Sequence, residues 1–494
     1  MSTAAEQARD LIRNWHERGW TQFLALLLGV VSVALSAPLD DFWLSIASGR
    51  ELLAGADLGR ALPFTHTPMV EGAINPQWGA QLLFAISDSA ALAVAVQVAL
   101  VASGLLLIYW RALTRTSVMG AALAMLVALA VLKPFLIPRV QALSLLFFPV
   151  ALLLIERRGQ GRWLPIAYGA LMLIWANVHG AFVLGQGLPL AFLIGPLVNG
   201  LRARKLQSHV RENWPLLITA VIALLVPLIN PVGPALYSYA YGQAANKIVL
   251  QLATEWDPAW PWTEFGAPYW AFGLLVVAGR PWRHPHRSGE LFLLVATFIM
   301  GVMAVRSLPW FVLTSTALLA EQICRWLGPP GSMSRAAGNV PATGGSALAI
   351  PIVIAVAAVL LQPLRPLLPD SIGRLTPIMP VALVDELERQ LPDKSSREPI
   401  FNYQGWGGYI AYRLGSRVAT FVDGRIETPT IATWDTYLGL IHAKPGFIGS
   451  LAGVGIKWVI VGHNTPLQTT LESSGWRVAL ATPEGVLMER RADR

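Results

Sequence analysis

"TQFLALLLGVVSVALSAPLDDFWLSIASGRELLAG", residues 21–55, passes from an apolar run into an acidic pair, Asp40-Asp41, and then into an amphipathic stretch. A run of roughly 17–25 apolar residues is enough to cross the hydrocarbon layer of a membrane, and 21–38 qualifies. Arg9, Arg13 and Arg18 precede it, as they would in a cleaved signal sequence. The long leading tail and the poor small-x-small match at Leu35-Ser36-Ala37 favour a retained anchor instead.

Outward from this first span the pattern repeats. Further spans are expected at 89–110, 117–133, 140–155, 163–178, 181–200, 214–230, 267–280, 289–305, 308–325 and 347–364. The composition agrees: 54% of the 494 residues are hydrophobic and 13% charged, against roughly 25% charged in soluble domains. A disordered chain and an ordinary cytosolic enzyme are excluded. The net charge of +8 is not a nucleic-acid footprint, because 17 of the 37 Lys and Arg fall in the amino-terminal tail and in every second loop. That is the positive-inside pattern. It places the amino terminus in the cytoplasm and residues 365–494 outside, with no nucleic-acid partner. The lone cysteine, Cys324, rules out an intrachain disulfide and a Cys-based zinc site.

The expected fold class is an α-helical polytopic membrane protein of about eleven transmembrane helices with a C-terminal extracytoplasmic α/β domain. Residues 1–20 form a cytoplasmic tail, 21–326 the membrane domain with a large first outside loop over 39–88, 327–346 a cytoplasmic linker, and 347–364 the last span. In the first loop, 40–55 reads as a helix lying in the membrane interface on Phe42, Trp43, Ile46 and Leu53. In 365–494, strand patterns cover Arg417–Val422, Trp458–Val461, Arg477–Ala481 and Gly485–Met488, and helical ones cover 380–391, 432–442, 446–453 and 465–474. About 130 residues of near-neutral charge are enough for an independent core, so this part is expected to fold alone.

No nucleotide-binding, zincin or nucleophile-elbow motif is present. Attention therefore falls on polar groups at the outer helix ends. Asp40 and Asp41 sit at the membrane boundary, where an acid is expensive unless it meets water, a cation or substrate. Such a carboxylate can deprotonate an acceptor hydroxyl or hold a divalent metal such as Mg or Mn against a phosphate. It can equally cap a helix, and each Asp can take one of these tasks. Lys133, Arg139, His179 and Arg306 are candidates for an anionic substrate. Lys133 and Arg139 flank the short turn "KPFLIPR", Arg306 lies in "VRSLPWF" and His179 in "WANVHG". Snorkelling explains the basic groups as simply. Glu255 and Asp257 in "TEWDPAW" extend the acidic set. The tryptophans of 255–265 fit an interfacial belt before a sugar platform. "FVDGR" (421–425) is a turn signal first.

The order of "NPQWGAQLLFAI" (75–86), "WANVHG" (175–180), "LINPVG" (228–233), "TEWDP" (254–258), "RSLPWF" (306–311), "FNYQGWGGYIAYRL" (401–414) and "FVDGR" resembles a group of bacterial polytopic proteins similar to the GT-C glycosyltransferases. The resemblance implies transfer of a sugar from a polyprenyl-phosphate carrier at the outer face of the inner membrane. It implies an acid in the first outside loop, matched by Asp40 or Asp41, and basic residues for the lipid phosphate, matched by Arg139 and Arg306. Trp78 of the first motif joins the substrate-binding set, and membrane lipids are the other expected partners. The competing classes are a non-catalytic scaffold or lipid-handling protein whose outer domain binds a partner, and a transporter. The near absence of charge within the spans argues against the transporter.

The topology has a direct check. In a Cys324→Ala background, a cysteine placed at Ser396 should react with an impermeant thiol reagent in intact cells, and one at Ser208 should not. Labelling at position 208 would sink the eleven-span arrangement.

Overall fold

The computed structural model describes residues 36–86, 89–156, 158–283, 288–327, 375–391 and 397–490. The first expected span before Ser36, the linker beyond Leu327 and the span at 347–364 lie outside these residues. Between 89 and 325, a helix occupies each expected segment: Ala90–Leu113, Val118–Leu132, Ser144–Glu156, Leu164–Val178, Phe182–Arg202, Trp214–Leu225, Gly266–Ala278, Ser288–Met303 and Leu308–Leu327. Ala90–Leu113, Val118–Phe135 and Phe182–Arg202 are long and apolar enough to cross a membrane by length and composition.

Local sequence sets the helix ends. Ser89 and Ser117 accept hydrogen bonds from the N–H groups of Leu92 and Gly120, which have no partner within their first turns. Pro165 and Pro215 sit in first turns, where no N–H is missed. Pro227 ends its helix in a 3-10 turn. Two glycines let helices touch: a Cβ on Gly104 would stand 2.1 Å from the Leu145 carbonyl oxygen, and one on Gly49 2.0 Å from that of Gln81.

The Ala90–Leu113 helix outruns its apolar segment and carries Arg111 inside, 1% exposed. Arg111 donates to Glu156, to Glu290 at 2.6 Å and to the Thr314 carbonyl at 2.7 Å. Arg115 reaches the same two glutamates. The sequence reading put both arginines in a loop; the acids on neighbouring helices draw them into the bundle.

Residues 375–490 build a five-stranded sheet of order β2-β1-β3-β5-β4, with β1 Glu398–Asn402, β2 Val418–Ala419, β3 Trp458–Val461, β4 Arg477–Ala481 and β5 Val486–Glu489. β1 runs parallel to β2 and β3, and β5 runs antiparallel to β3 and β4. Side chains alternate across the sheet. Val459 and Val461 pack with Phe401, Trp434 and Leu467 on one face. Trp458 and Ile460 join Ile400, Leu383 and Tyr409 on the other, and that core continues without a break into the membrane helices.

The segment that opens with the Asp40–Leu53 helix supplies the continuity. Phe42, Trp43 and Ile46 of the Asp40–Leu53 helix are buried inside the protein, not laid in the membrane interface; of the expected apolar side only Leu53 is exposed. Trp43 meets Tyr409 and Tyr412 at 5.4 and 4.9 Å, and Phe42 meets Phe84 at 5.5 Å. Beyond β2, the chain at Thr420 bridges to Thr65 and that at Pro429 to Met69. The first loop thus covers an open sheet edge. On this side the C-terminal part, expected to be the outer one, shares its core with the membrane helices.

Residues 368–494 expressed by themselves should therefore expose Trp406, Tyr409 and Ile410, bind a hydrophobic dye and unfold without a sharp transition. A cooperative, dye-free melt of the isolated segment would refute the shared core.

Candidate active site

Asp40 and Asp41 open the Asp40–Leu53 helix, where their charge suits the helix dipole, yet neither caps that helix: Leu39 is its N-cap residue and no side-chain bond closes it. Asp40 caps another one. Its carboxylate accepts the Gly408 N–H at 2.9 Å and the Tyr409 N–H at 3.0 Å, at the start of the Gly407–Leu414 helix. Burial raises its pKa to about 7, against those two hydrogen bonds. Gly424 of "FVDGR" lies over the same carboxylate, and a Cβ there would stand 3.2 Å from Asp40 Oδ2.

Asp41 lines a cavity of about 500 Å³ between the membrane helices and the outer part. Its Oδ1 is buried with no hydrogen-bond partner among the described residues. Burial raises its pKa, and nearby Arg139 opposes the shift. Arg139, His179, Glu255 and Arg306 line the same space. Arg139 Nη2 donates to Glu255 Oε2 at 2.7 Å, and Arg306 Nη1 pairs with Glu255 Oε1 at 3.1 Å. Burial pushes the Glu255 pKa up, but Arg306 and Arg139 outweigh it and hold the acid below its usual range. Arg306 also lies 4.4 Å from the Trp256 ring centre. His179 Nδ1 stands 2.9 Å from Ser144 Oγ and 3.3 Å from the Ala181 N–H. Burial, then Arg306 and Arg139, lower its pKa to about 3, so the imidazole is neutral.

Five of the nine candidates from the sequence therefore meet in one cavity, and four stand apart. Asp40 is engaged by the outer helix. Lys133 is exposed at the turn Lys133–Phe135. Trp78 donates its indole N–H to Asn177 at 2.8 Å. Asp257 is exposed, and its backbone carbonyl accepts from Val305, tying "TEWDP" to "RSLPWF". The outer part adds groups the reading did not select. Arg425, bonded to Asp423, and Glu427, which accepts from Tyr239 at 3.1 Å, also line the cavity. "FVDGR" carried the signal for Arg425; nothing in the sequence tied it to Asp41.

Among the described residues no three of His, Cys, Asp and Glu converge as a metal-ligand set. Asp40 is turned to backbone N–H groups and Glu255 to arginines, so the acids here do not fit a divalent site.

No family model matches the chain, and no curated protein matches it in sequence. Among solved structures, ArnT from Cupriavidus metallidurans bound to undecaprenyl phosphate aligns over 96% of this chain and 98% of that one, with a TM-score of 0.52 and 14% identity. The fold is similar to that of this GT-C glycosyltransferase. The apo oligosaccharyltransferase of Archaeoglobus fulgidus aligns over 90% of this chain and 70% of its own, with a TM-score of 0.51 and 13% identity. At such identities the GT-C likeness concerns architecture, and activity has to be argued from the site.

The two acids should separate experimentally. Asp40→Ala leaves two buried N–H groups without an acceptor and should cost about 1–3 kcal/mol of stability, read as a lowered Tm. Asp41→Asn should leave the Tm unchanged or raise it, because a charge with one buried and unpaired oxygen is removed. The reverse order would overturn this division.

Proposed function

We propose that the protein is a membrane glycosyltransferase that moves a sugar from a polyprenyl-phosphate-linked donor to an acceptor on the outer side of the membrane. One observation carries the reading: half-buried Asp41, whose Oδ1 is buried with no hydrogen-bond partner among the described residues, shares a single cavity with Arg139 and Arg306. A carboxylate oxygen removed from water without a hydrogen bond is costly to keep. Its raised pKa suits a general base. Asp41 accepts the proton of an acceptor hydroxyl, whose oxygen attacks the anomeric carbon. The bond from that carbon to the phosphate oxygen breaks, and the lipid phosphate leaves with the electron pair. Arg139 and Arg306 receive the charge that develops there, as guanidinium groups do for phosphates. Neutral His179 adds no charge and can donate from Nε2, since Nδ1 accepts from Ala181.

The undecaprenyl phosphate held by ArnT supports the donor class. The orientation, with the amino terminus in the cytoplasm and the cavity outside, rests on the distribution of basic residues. The outer part closes the cavity from above and, through Arg425 and Glu427, faces the acceptor. A scaffold would have no use for an acid with one oxygen buried and unpaired beside two arginines.

Asp41→Asn should lower release of undecaprenyl phosphate from a lipid-phosphate-linked sugar by about 10²–10⁴-fold. The base must be ionised, and burial raises its pKa, so kcat/KM should rise with pH through a value above that of a free aspartate. Full activity of Asp41→Asn, or a flat acidic limb down to pH ~4, would remove Asp41 as the base.

A further inference from the structure

The place between Arg139 and Arg306 that the proposed reaction gives to the donor phosphate is taken by the Glu255 carboxylate. Each of its oxygens meets a different guanidinium, at 2.7 and 3.1 Å. Arg139 is also bonded to Gln141, and Arg306 rests against Trp256, so both arginines keep a second contact when the acid withdraws. Glu255 is 33% exposed and stands in the three-residue turn Thr254–Trp256, not inside a long helix. Carboxylate and phosphate present similar oxygen pairs to a guanidinium.

Charge counting gives this arrangement a direction. At the phosphate position two guanidiniums and the Glu255 carboxylate leave a formal charge of about +1, and ionised Asp41 in the same cavity lowers it further, so little positive charge is left beyond what a lipid phosphodiester of about −1 takes up. The lipid phosphate set free by transfer is a monoester, which carries about −1.5 to −2 at neutral pH. The Glu255 carboxylate, still close by after it has released the arginines, opposes the product more than the donor.

We infer that Glu255 is a positioning residue that holds the two phosphate-binding arginines together in the empty site, yields them to the incoming phosphate, and then promotes departure of the lipid phosphate product. The inference rests on the function proposed above. A purely structural role for Glu255 predicts the opposite sign: loss of its charge would let the arginines drift and weaken phosphate binding.

The test uses the full chain in nanodiscs with two probes, undecaprenyl phosphate and uncharged undecaprenol. Glu255→Gln and Glu255→Ala should bind undecaprenyl phosphate more tightly by about tenfold, the effect of removing one nearby like charge in a partly wet site. Both should show stronger product inhibition and a lower kcat, with undecaprenol binding unchanged. Glu255→Asp, which keeps the charge, should stay near wild type. In the wild-type protein, a structure with undecaprenyl phosphate should show the phosphate on Arg139 and Arg306, with Glu255 released from at least one of them. The inference is overturned if both neutral variants bind the phosphate no more tightly than wild type, or if it binds while both Glu255 ion pairs persist. Failure of the wild-type protein to bind undecaprenyl phosphate at all would instead overturn the proposed function, and this inference with it.

Discussion

The Gly408 and Tyr409 N–H groups at the start of the Gly407–Leu414 helix take their acceptor from Asp40, in a distant segment. The site depends on this bond. Successive residues of a helix diverge by about 100° around its axis. Once Asp40 is fixed toward the outer part, Asp41 must face elsewhere, and the direction left open is the cavity. The same contact sets Gly424 against the acidic pair and brings Arg425 and Glu427 over the arginines of the membrane part.

Two ionic assemblies in this chain show how differently buried charge can be treated. Around Arg111, the guanidinium nitrogens are all engaged, by Glu156, by Glu290 and by the Thr314 carbonyl. Breaking such a group by removing one member strands the others, which makes it a lock between helices. Around Asp41 the groups are left incomplete, with one carboxylate oxygen unpartnered. A closed network specifies a bundle; an open one is available to a ligand.

Much of the helical part was legible because a membrane span announces itself by the length of an apolar run. The acidic pair was legible by its place at the end of one. What each acid does was not, since the answer lies more than 360 residues away in the chain. Arg139 and Lys133 flank the same turn and look alike in sequence. Only Arg139 turns inward, its carbonyl held by Gln97 and its guanidinium by Glu255. β1 escaped notice because Pro399 and Asn402 dilute its pattern. The expected strand from Arg417 to Val422 shortens to two residues because Thr420 leaves β1 to bridge the first loop at Thr65. The interfacial helix was misread for a related reason: Phe42 and Trp43 are as apolar as a membrane anchor, and the aromatic surface that covers them comes from Tyr409 and Tyr412.

The 368-residue separation between Asp40 and Gly408 is also an interval of time. A ribosome adding roughly 5–20 residues per second takes on the order of 20–70 s to cover it. Throughout that period the acidic pair and Trp43 have emerged, while the segment that will cap and cover them has not been made. A nascent chain stalled between residues 306 and 408 holds both cavity-lining arginines of the membrane part, Arg139 and Arg306, and still lacks the contact that aims Asp41. Maturation of the site thus waits until the segment around residue 408 has been made.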